Sequence, residues 1–147
     1  MAQQKLYELM EKAILEEAKA VFIYFYQSIE LSGIKGHSVK NELFKTSREE
    51  MEHIEQISHR LNQLGIPIPR KLLELGDRLD SFLDNFELNI SLEEGAIKLY
   101  KEIIKVSGEL NDITTQNIFI NILEQEENHL NFFQKVFDGE MQRFEKK

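Results

Sequence analysis

The chain has 147 residues and, with 26 acidic against 18 basic side chains, a formal net charge of -8 at pH 7. That length suits a single domain able to bury about two-thirds of its unfolded surface, and the acidic balance excludes a general nucleic-acid binder, whose affinity comes from clustered Lys and Arg displacing counterions. The absence of cysteine removes disulfides, thiolate zinc sites and iron–sulfur clusters, leaving carboxylate, imidazole and carbonyl as ligands.

The hydrophobic period is helical, and four long helices are predicted, giving an all-α fold. The first, over about residues 3–31, aligns Leu6, Met10, Ala13, Glu17, Val21, Tyr24, Ser28 and Leu31 at spacings of three and four, with Gly33 and Gly36 expected to break it. The second, 38–64, aligns Val39, Leu43, Thr46, Glu50, His53, Ile57 and Leu64 up to a stop at Gly65, Ile66 and Pro67. The third, 81–107, opens on a capping signal at Ser81 and Asp84 and follows Phe82, Phe86, Ile90, Glu93, Ile97, Tyr100 and Ile104 to Gly108. The fourth, 111–138, follows Phe119, Ile122, Glu126, His129, Phe133 and Phe137 to Gly139. His37, in a loop bounded by glycines, and His59, off the seam of His53, are expected in solvent. The longest apolar run, Ala20 to Tyr26, falls well short of the roughly 18 residues of a membrane span, and Met1 to Lys5 shows no signal-peptide pattern, so the sequence reads as soluble and cytoplasmic. The same run is apolar around the whole of the first helix, which implies a face covered by another subunit and hence a homo-oligomer.

Two Glu-x-x-His pairs, Glu50/His53 and Glu126/His129, lie 76 positions apart, and Glu17/Tyr24 recurs at the same offset as Glu93/Tyr100. The chain therefore reads as two copies of one helical hairpin. In every copy the acidic and imidazole groups occupy seam positions that neighbouring turns fill with apolar side chains. A charge there costs several kcal/mol, roughly, unless compensated. Few basic residues share those seams, so cations are the expected compensators. Spacing of i, i+3 puts each Glu and His one turn apart on one face, where one helix can supply two ligands to one ion. One Glu from each of two helices, and Glu-x-x-His from each of the other two, is the general pattern of di-iron and di-manganese bundles. As exposed pairs, the same residues would contribute only a few tenths of a kcal/mol, roughly. Glu16 and Glu94 adjoin the candidate ligands, but Glu17 and Glu93 hold the seam and the seven-residue step to tyrosine.

Glu17, Glu50-Met51-Glu52-His53, Glu93 and Glu126-Glu127-Asn128-His129 resemble the ferroxidase motifs of the ferritin-like superfamily, notably bacterioferritin and mini-ferritin, with rubrerythrin more distant. The resemblance spans roughly Leu6 to Phe137. It implies a four-helix bundle in which Glu50 and Glu126 bridge two iron ions, Glu17 and His53 complete one site and Glu93 and His129 the other, with manganese or mixed metals as alternatives. Tyr24 and Tyr100 would orient the carboxylates. Met51 follows the second-helix glutamate, as does the methionine that holds haem between two subunits of bacterioferritin. Ala96 stands where rubrerythrins carry a further carboxylate. Because 18 residues follow His129, the fifth short helix of bacterioferritin is expected to be truncated or missing, leaving twelve- and twenty-four-subunit shells and smaller assemblies open.

The stretch from Gly65 to Asp80 exceeds ordinary bundle loops. About fifteen extended residues reach on the order of 50 Å, enough to run the length of a helix of roughly 40 Å. A long crossover between helices two and three, as in ferritin-like folds, is thus expected. The implied activity is oxidation of Fe(II) to Fe(III) by oxygen or hydrogen peroxide, with ferric iron stored in an oligomeric shell. A non-storage di-metal peroxidase or oxygenase, and a helical bundle binding haem or a partner, are the alternatives.

Overall fold

A computed structural model describes residues 1–31 and 36–145, the side chains of residues 36, 37, 144 and 145 excepted. Four helices follow one another: α1 (Ala2–Glu30), α2 (Gly36–Gln63), α3 (Phe82–Glu109) and α4 (Ile113–Glu145). They pack as a four-helix bundle, α1 against α2 and α3, and α4 against α3 and α2.

Local chemistry sets the ends. α2 closes on Gly65, whose φ of 75° is left-handed, with Ile66 N–H bonded to Leu61 C=O at 2.9 Å and Gly65 N–H to Asn62 C=O at 3.1 Å. This paired arrangement satisfies carbonyls that the helix would otherwise orphan, and Pro67 then prevents its continuation. The Ser81 hydroxyl opens α3 by accepting from Asp84 N–H at 3.1 Å. α3 ends the way α2 does, except that Asn111 supplies the left-handed residue at φ 59° and Asp112 N–H bonds to Ser107 C=O at 2.9 Å. The helix therefore passes through Gly108, where the sequence pattern placed its end. Asp112 next caps α4, accepting from Thr115 N–H at 3.1 Å.

Two other boundaries also differ from the sequence reading. Gly36 begins α2 instead of breaking the preceding helix, which puts residue 37 in its first turn rather than in a loop; Gly33 and the His37 side chain lie outside the described residues. Gly139 does not end α4. A helical glycine costs only about 1 kcal/mol relative to alanine, and the residues after it, Glu140 to Arg143, include no proline.

Side-chain pairs fix the connectivity. Ser47 Oγ donates to Val21 C=O at 2.7 Å, while Lys5 pairs with Glu102 at 3.2 Å and Gln27 with Asn89 at 2.8 Å. With His53 Nδ1 3.5 Å from Glu17 Oε2 as a second α2–α1 pair, both α2 and α3 are antiparallel to α1, and therefore parallel to each other. A parallel pair cannot be joined by a tight turn, so the segment between α2 and α3 crosses the length of the bundle. At the far end Arg60 ties α2 to the start of α4, donating to Asp112 Oδ1 at 2.8 Å and to Thr115 Oγ1 at 2.9 Å.

The interior has two apolar layers. One is largely aliphatic, with Leu6, Met10, Ile57, Leu61, Ile103 and Ile122 around Phe119. The other is rich in aromatics, with Phe82, Phe86, Phe133 and Tyr24 beside Leu43. Between them in sequence, on each helix, stand the acidic and imidazole residues of the seam. Among the described residues, no helix is long and apolar enough to cross a membrane.

Candidate metal centre

The structure brings all six seam residues together. Glu17 comes from α1, Glu50 and His53 from α2, Glu93 from α3, and Glu126 and His129 from α4, each no more than 6 % exposed. Their ligand atoms form two groups, Glu17, Glu50, His53 and Glu126, and Glu50, Glu93, Glu126 and His129, with the atoms of each within 4.8 Å of one another. Glu50 and Glu126 belong to both, which follows from the 76-residue repeat and the antiparallel facing of α2 and α4.

Each imidazole approaches the carboxylate of the opposite hairpin most closely. His53 Nδ1 lies 2.8 Å from Glu126 Oε1 and 3.5 Å from both Glu17 Oε2 and Glu50 Oε2. His129 Nδ1 lies 2.8 Å from Glu50 Oε1, 3.6 Å from Glu126 Oε2 and 3.7 Å from Glu93 Oε1. These are ion-pair distances, yet both Nδ1 atoms, with Glu17 Oε2, Glu50 Oε1, Glu93 Oε2 and Glu126 Oε1, are buried without a hydrogen bond of adequate direction. Unsatisfied buried polar groups are costly and demand an explanation. A set of converging carboxylate oxygens and imidazole nitrogens is a donor set that fits divalent first-row metal ions.

Packing so many ionisable groups together shifts their proton affinities. Burial raises the Glu50 carboxyl, but the closely approaching imidazoles of His129 and His53 outweigh it and bring it down to about 2. Glu126 goes the other way, pushed well up by burial and then by the charges of Glu50 and Glu93; burial and Glu50 likewise raise Glu93. His53 loses proton affinity to burial and regains more from Glu126 and Glu50, reaching about 10. His129 is raised as well, against its burial, by the adjacent carboxylates of Glu126, Glu49 and Glu50. The cluster thus favours bound positive charge, and its two ligand groups are of a kind that could hold metal ions.

Both tyrosines are fully buried, and each crosses to the other copy of the repeat. Tyr24 Oη donates to Glu93 Oε1 at 2.8 Å, and Tyr100 Oη donates to Glu17 Oε1. Burial pushes both phenols well up, so they remain donors. A small cavity of about 10 Å³, on the scale of one water, lies among Glu17, Tyr24, Glu50, Glu93, Tyr100 and Glu126, with Ala20 and Ala96 in its wall. Ala96 thus offers no carboxylate to the cluster from its place in the cavity wall.

Sequence reasoning missed the outer partners of the imidazoles. His53 Nε2 lies 2.7 Å from Gln125 Oε1, and His129 Nε2 lies 3.1 Å from Glu49 Oε2. The signal was available, because Glu49 and Gln125 precede the two Glu-x-x-His pairs at the same 76-residue offset. The other singled-out residues lie apart from the cluster. His59 is exposed and 3.8 Å from Glu55, and Met51 is 56 % exposed.

Two hairpins joined by a long crossover, enclosing one Glu and one Glu-x-x-His from each, make the ligand pattern of the carboxylate four-helix bundles. The chain belongs to the ferritin-like domain family, whose sequence profile matches residues 7–141. It is similar to the bacterioferritin of Rhodobacter capsulatus, 30% identical over 135 residues that cover 88% of this chain and 81% of that protein. It is 26% identical to the bacterioferritin of Desulfovibrio desulfuricans over 135 residues, 90% of this chain and 74% of that one. Its fold superimposes with a TM-score of 0.87, at 18% identity, on a ferritin-like diiron-carboxylate protein from Bacillus anthracis str. Ames, covering 93% of this chain and 98% of that one.

Proposed function

We propose that the protein is a ferroxidase that binds two Fe(II) ions per subunit, oxidises them with oxygen or hydrogen peroxide, and stores the ferric product in a homo-oligomeric shell. The observation that carries this reading is the sharing of two buried carboxylates, Glu50 and Glu126, between two ligand groups in which every residue has a buried oxygen or nitrogen without a hydrogen-bond partner. Hard carboxylates with borderline imidazoles suit Fe(II), and similarity to bacterioferritins and a diiron-carboxylate protein supports iron over other metals.

Iron bound there would supply one electron per ion to the oxidant. The residues of the chain provide the setting. Anionic Glu17, Glu50, Glu93 and Glu126 favour the higher charge of Fe(III), and Tyr24 and Tyr100 fix the orientation of Glu93 and Glu17. The apolar layers on either side keep bulk water from competing for the ions. Nδ1 of each histidine gives up its proton when it becomes a ligand. The net charge of -8 favours approach of cations to the protein.

Assembly rests on an apolar strip. Phe22, Phe25, Tyr26 and Ile29 on α1 and Phe44 on α2 are 37 to 55 % exposed, and the Phe25 and Phe44 rings stand 6.2 Å apart. A second copy of the chain is the simplest cover. Met51 lies at helical spacing from Phe44, so covering the strip would bring its thioether near the second copy, where it could take up haem.

The decisive experiment is anaerobic Fe(II) titration of metal-free protein, then exposure to oxygen or peroxide, with light scattering on the same sample. Two Fe(II) per subunit, rapid oxidation and a shell-sized particle that takes up more iron are expected. Two irons in a small oligomer without further uptake would replace storage by a redox-enzyme function, and absence of stoichiometric binding would remove the proposal.

A further inference from the structure

The two ligand groups match residue for residue, but what stands behind them does not. Both histidines turn Nδ1 to the carboxylate cluster and Nε2 outward, so Nδ1 is the nitrogen placed to ligate a metal and Nε2, which faces an oxygen acceptor in each case, carries the outward proton. That proton goes to a neutral amide in one half, His53 Nε2 to Gln125 Oε1 at 2.7 Å. In the other it goes to a carboxylate, His129 Nε2 to Glu49 Oε2 at 3.1 Å. Positions 49 and 125 are equivalent under the repeat. Each flanks its histidine across the α2–α4 interface, and each is half-buried.

We propose that Glu49 ranks the two sites, making the group with Glu93 and His129 the tighter for a divalent cation and leaving the group with Glu17 and His53, backed by Gln125, the weaker. The proposal rests on the metal-binding reading above. The physical cause is direct. A carboxylate accepting the outer imidazole proton draws positive charge outward, raises the electron density at Nδ1 and adds a negative charge beside the site; an amide oxygen orients the ring without adding charge. Partners of this kind typically alter metal affinity by about 10- to 100-fold. Glu49 and Gln125 are therefore positioning residues that act through the histidines.

One other feature pulls in the opposite sense. Glu16 lines the cavity beside Glu17, whereas its counterpart in the second copy is Leu92. Glu16 makes no hydrogen bond or ion pair with any of the six ligands among the described residues, so its charge acts through space and is screened by its partial exposure. Glu49 touches its ligand. The contact should dominate.

The test loads metal-free protein with one equivalent of Co(II) per subunit and locates it by anomalous diffraction, alongside calorimetric titration to two equivalents. In the wild type, Co(II) is expected chiefly in the Glu93/His129 group, with two binding steps separated by about tenfold or more. Glu49→Gln keeps an acceptor for His129 but removes the charge, and should bring the two steps together. The exchange Glu49→Gln with Gln125→Glu should move the first ion to the Glu17/His53 group, a reversal that loss of packing could not produce. Equal partition in the wild type, or an unchanged filling order in the exchanged protein, would overturn the ranking while two bound ions left the metal-centre reading intact. Failure to bind Co(II) stoichiometrically would overturn both.

Discussion

Two adjacent regions of the bundle are buried equally deeply and by opposite means. In the aliphatic layer Phe119, Ile103 and Leu61 are wholly excluded from solvent, and its stability comes from apolar area removed from water, about 25 cal/mol per Å². The layer of Glu17, Glu50, His53, Glu93, Glu126 and His129 is almost as inaccessible, yet everything in it is ionisable. Hydrophobic packing stabilises unconditionally. A buried carboxylate–imidazole cluster stabilises only while something positive occupies it, so the second layer answers to pH and metal where the first does not.

The largest effect should come from breaking the ionisable layer. Replacing both shared carboxylates, Glu50→Ala with Glu126→Ala, removes a ligand from each group twice over, and calorimetry should show divalent-metal affinity reduced by more than about 100-fold, beyond the loss typical of outer partners. Breaking the aliphatic layer instead, with Phe119→Ala, should cost about 3 to 5 kcal/mol in denaturant unfolding, by the same amount with and without metal. Metal loading sharpens the contrast. At a free concentration 100 times its dissociation constant, each site should add about 2.7 kcal/mol, in wild type and in Phe119→Ala alike, and a chelator should reverse it.

A smaller effect separates the layers by pH. His53 binds its proton up to about 10 in the fold, against 6.5 in the unfolded chain, so its contribution to the metal-free protein is fully present below 6.5 and is lost as pH rises through about 10. Raised Glu93 and Glu126 act in the same direction, because the fold holds protons that the unfolded chain has released. Glu50 opposes them only in acid, where its contribution is lost as pH falls from 4.5 through about 2. Thermal unfolding of metal-free protein should therefore show stability decreasing from neutral to alkaline pH, while metal affinity rises over the same range as protons cease to compete. The least change is expected from Tyr24→Phe and Tyr100→Phe. Each leaves a buried carboxylate oxygen without its donor and should cost about 1 to 2 kcal/mol, nearly equally if the two halves are as equivalent as the geometry indicates.

Much of this was legible in the sequence because two signals coincide. A 3.6-residue apolar period located four helices, and the shared seam with its seven-residue step to tyrosine, recurring after 76 residues, selected Glu17 and Glu93 from among neighbouring acids. The crossover was expected from loop length, and the Lys5–Glu102 and Arg60–Asp112 pairs then fixed the helix directions. What escaped was set by tertiary context. Gly36 and Gly139 lie within helices because a glycine's helical penalty is small beside the favourable residues around it, whereas at Gly65 the backbone turns left-handed. The crossing of Tyr24 to Glu93 and Tyr100 to Glu17 needed knowledge of which helix faces which. Glu49 and Gln125 stood in the repeat but off the apolar seam, where polar residues ordinarily face solvent.

The crossover between α2 and α3 carries a last consequence. It contributes no member of either ligand group, while every group draws on both hairpins: α1 and α2 provide Glu17, Glu50 and His53, and α3 and α4 provide Glu93, Glu126 and His129. The covalent link acts as a tether that sets the local concentration of one half around the other. Were it cut by a protease, capture of the ions would become a second-order association of two fragments, dependent on dilution, with the two apolar layers and the metals together serving as the joint.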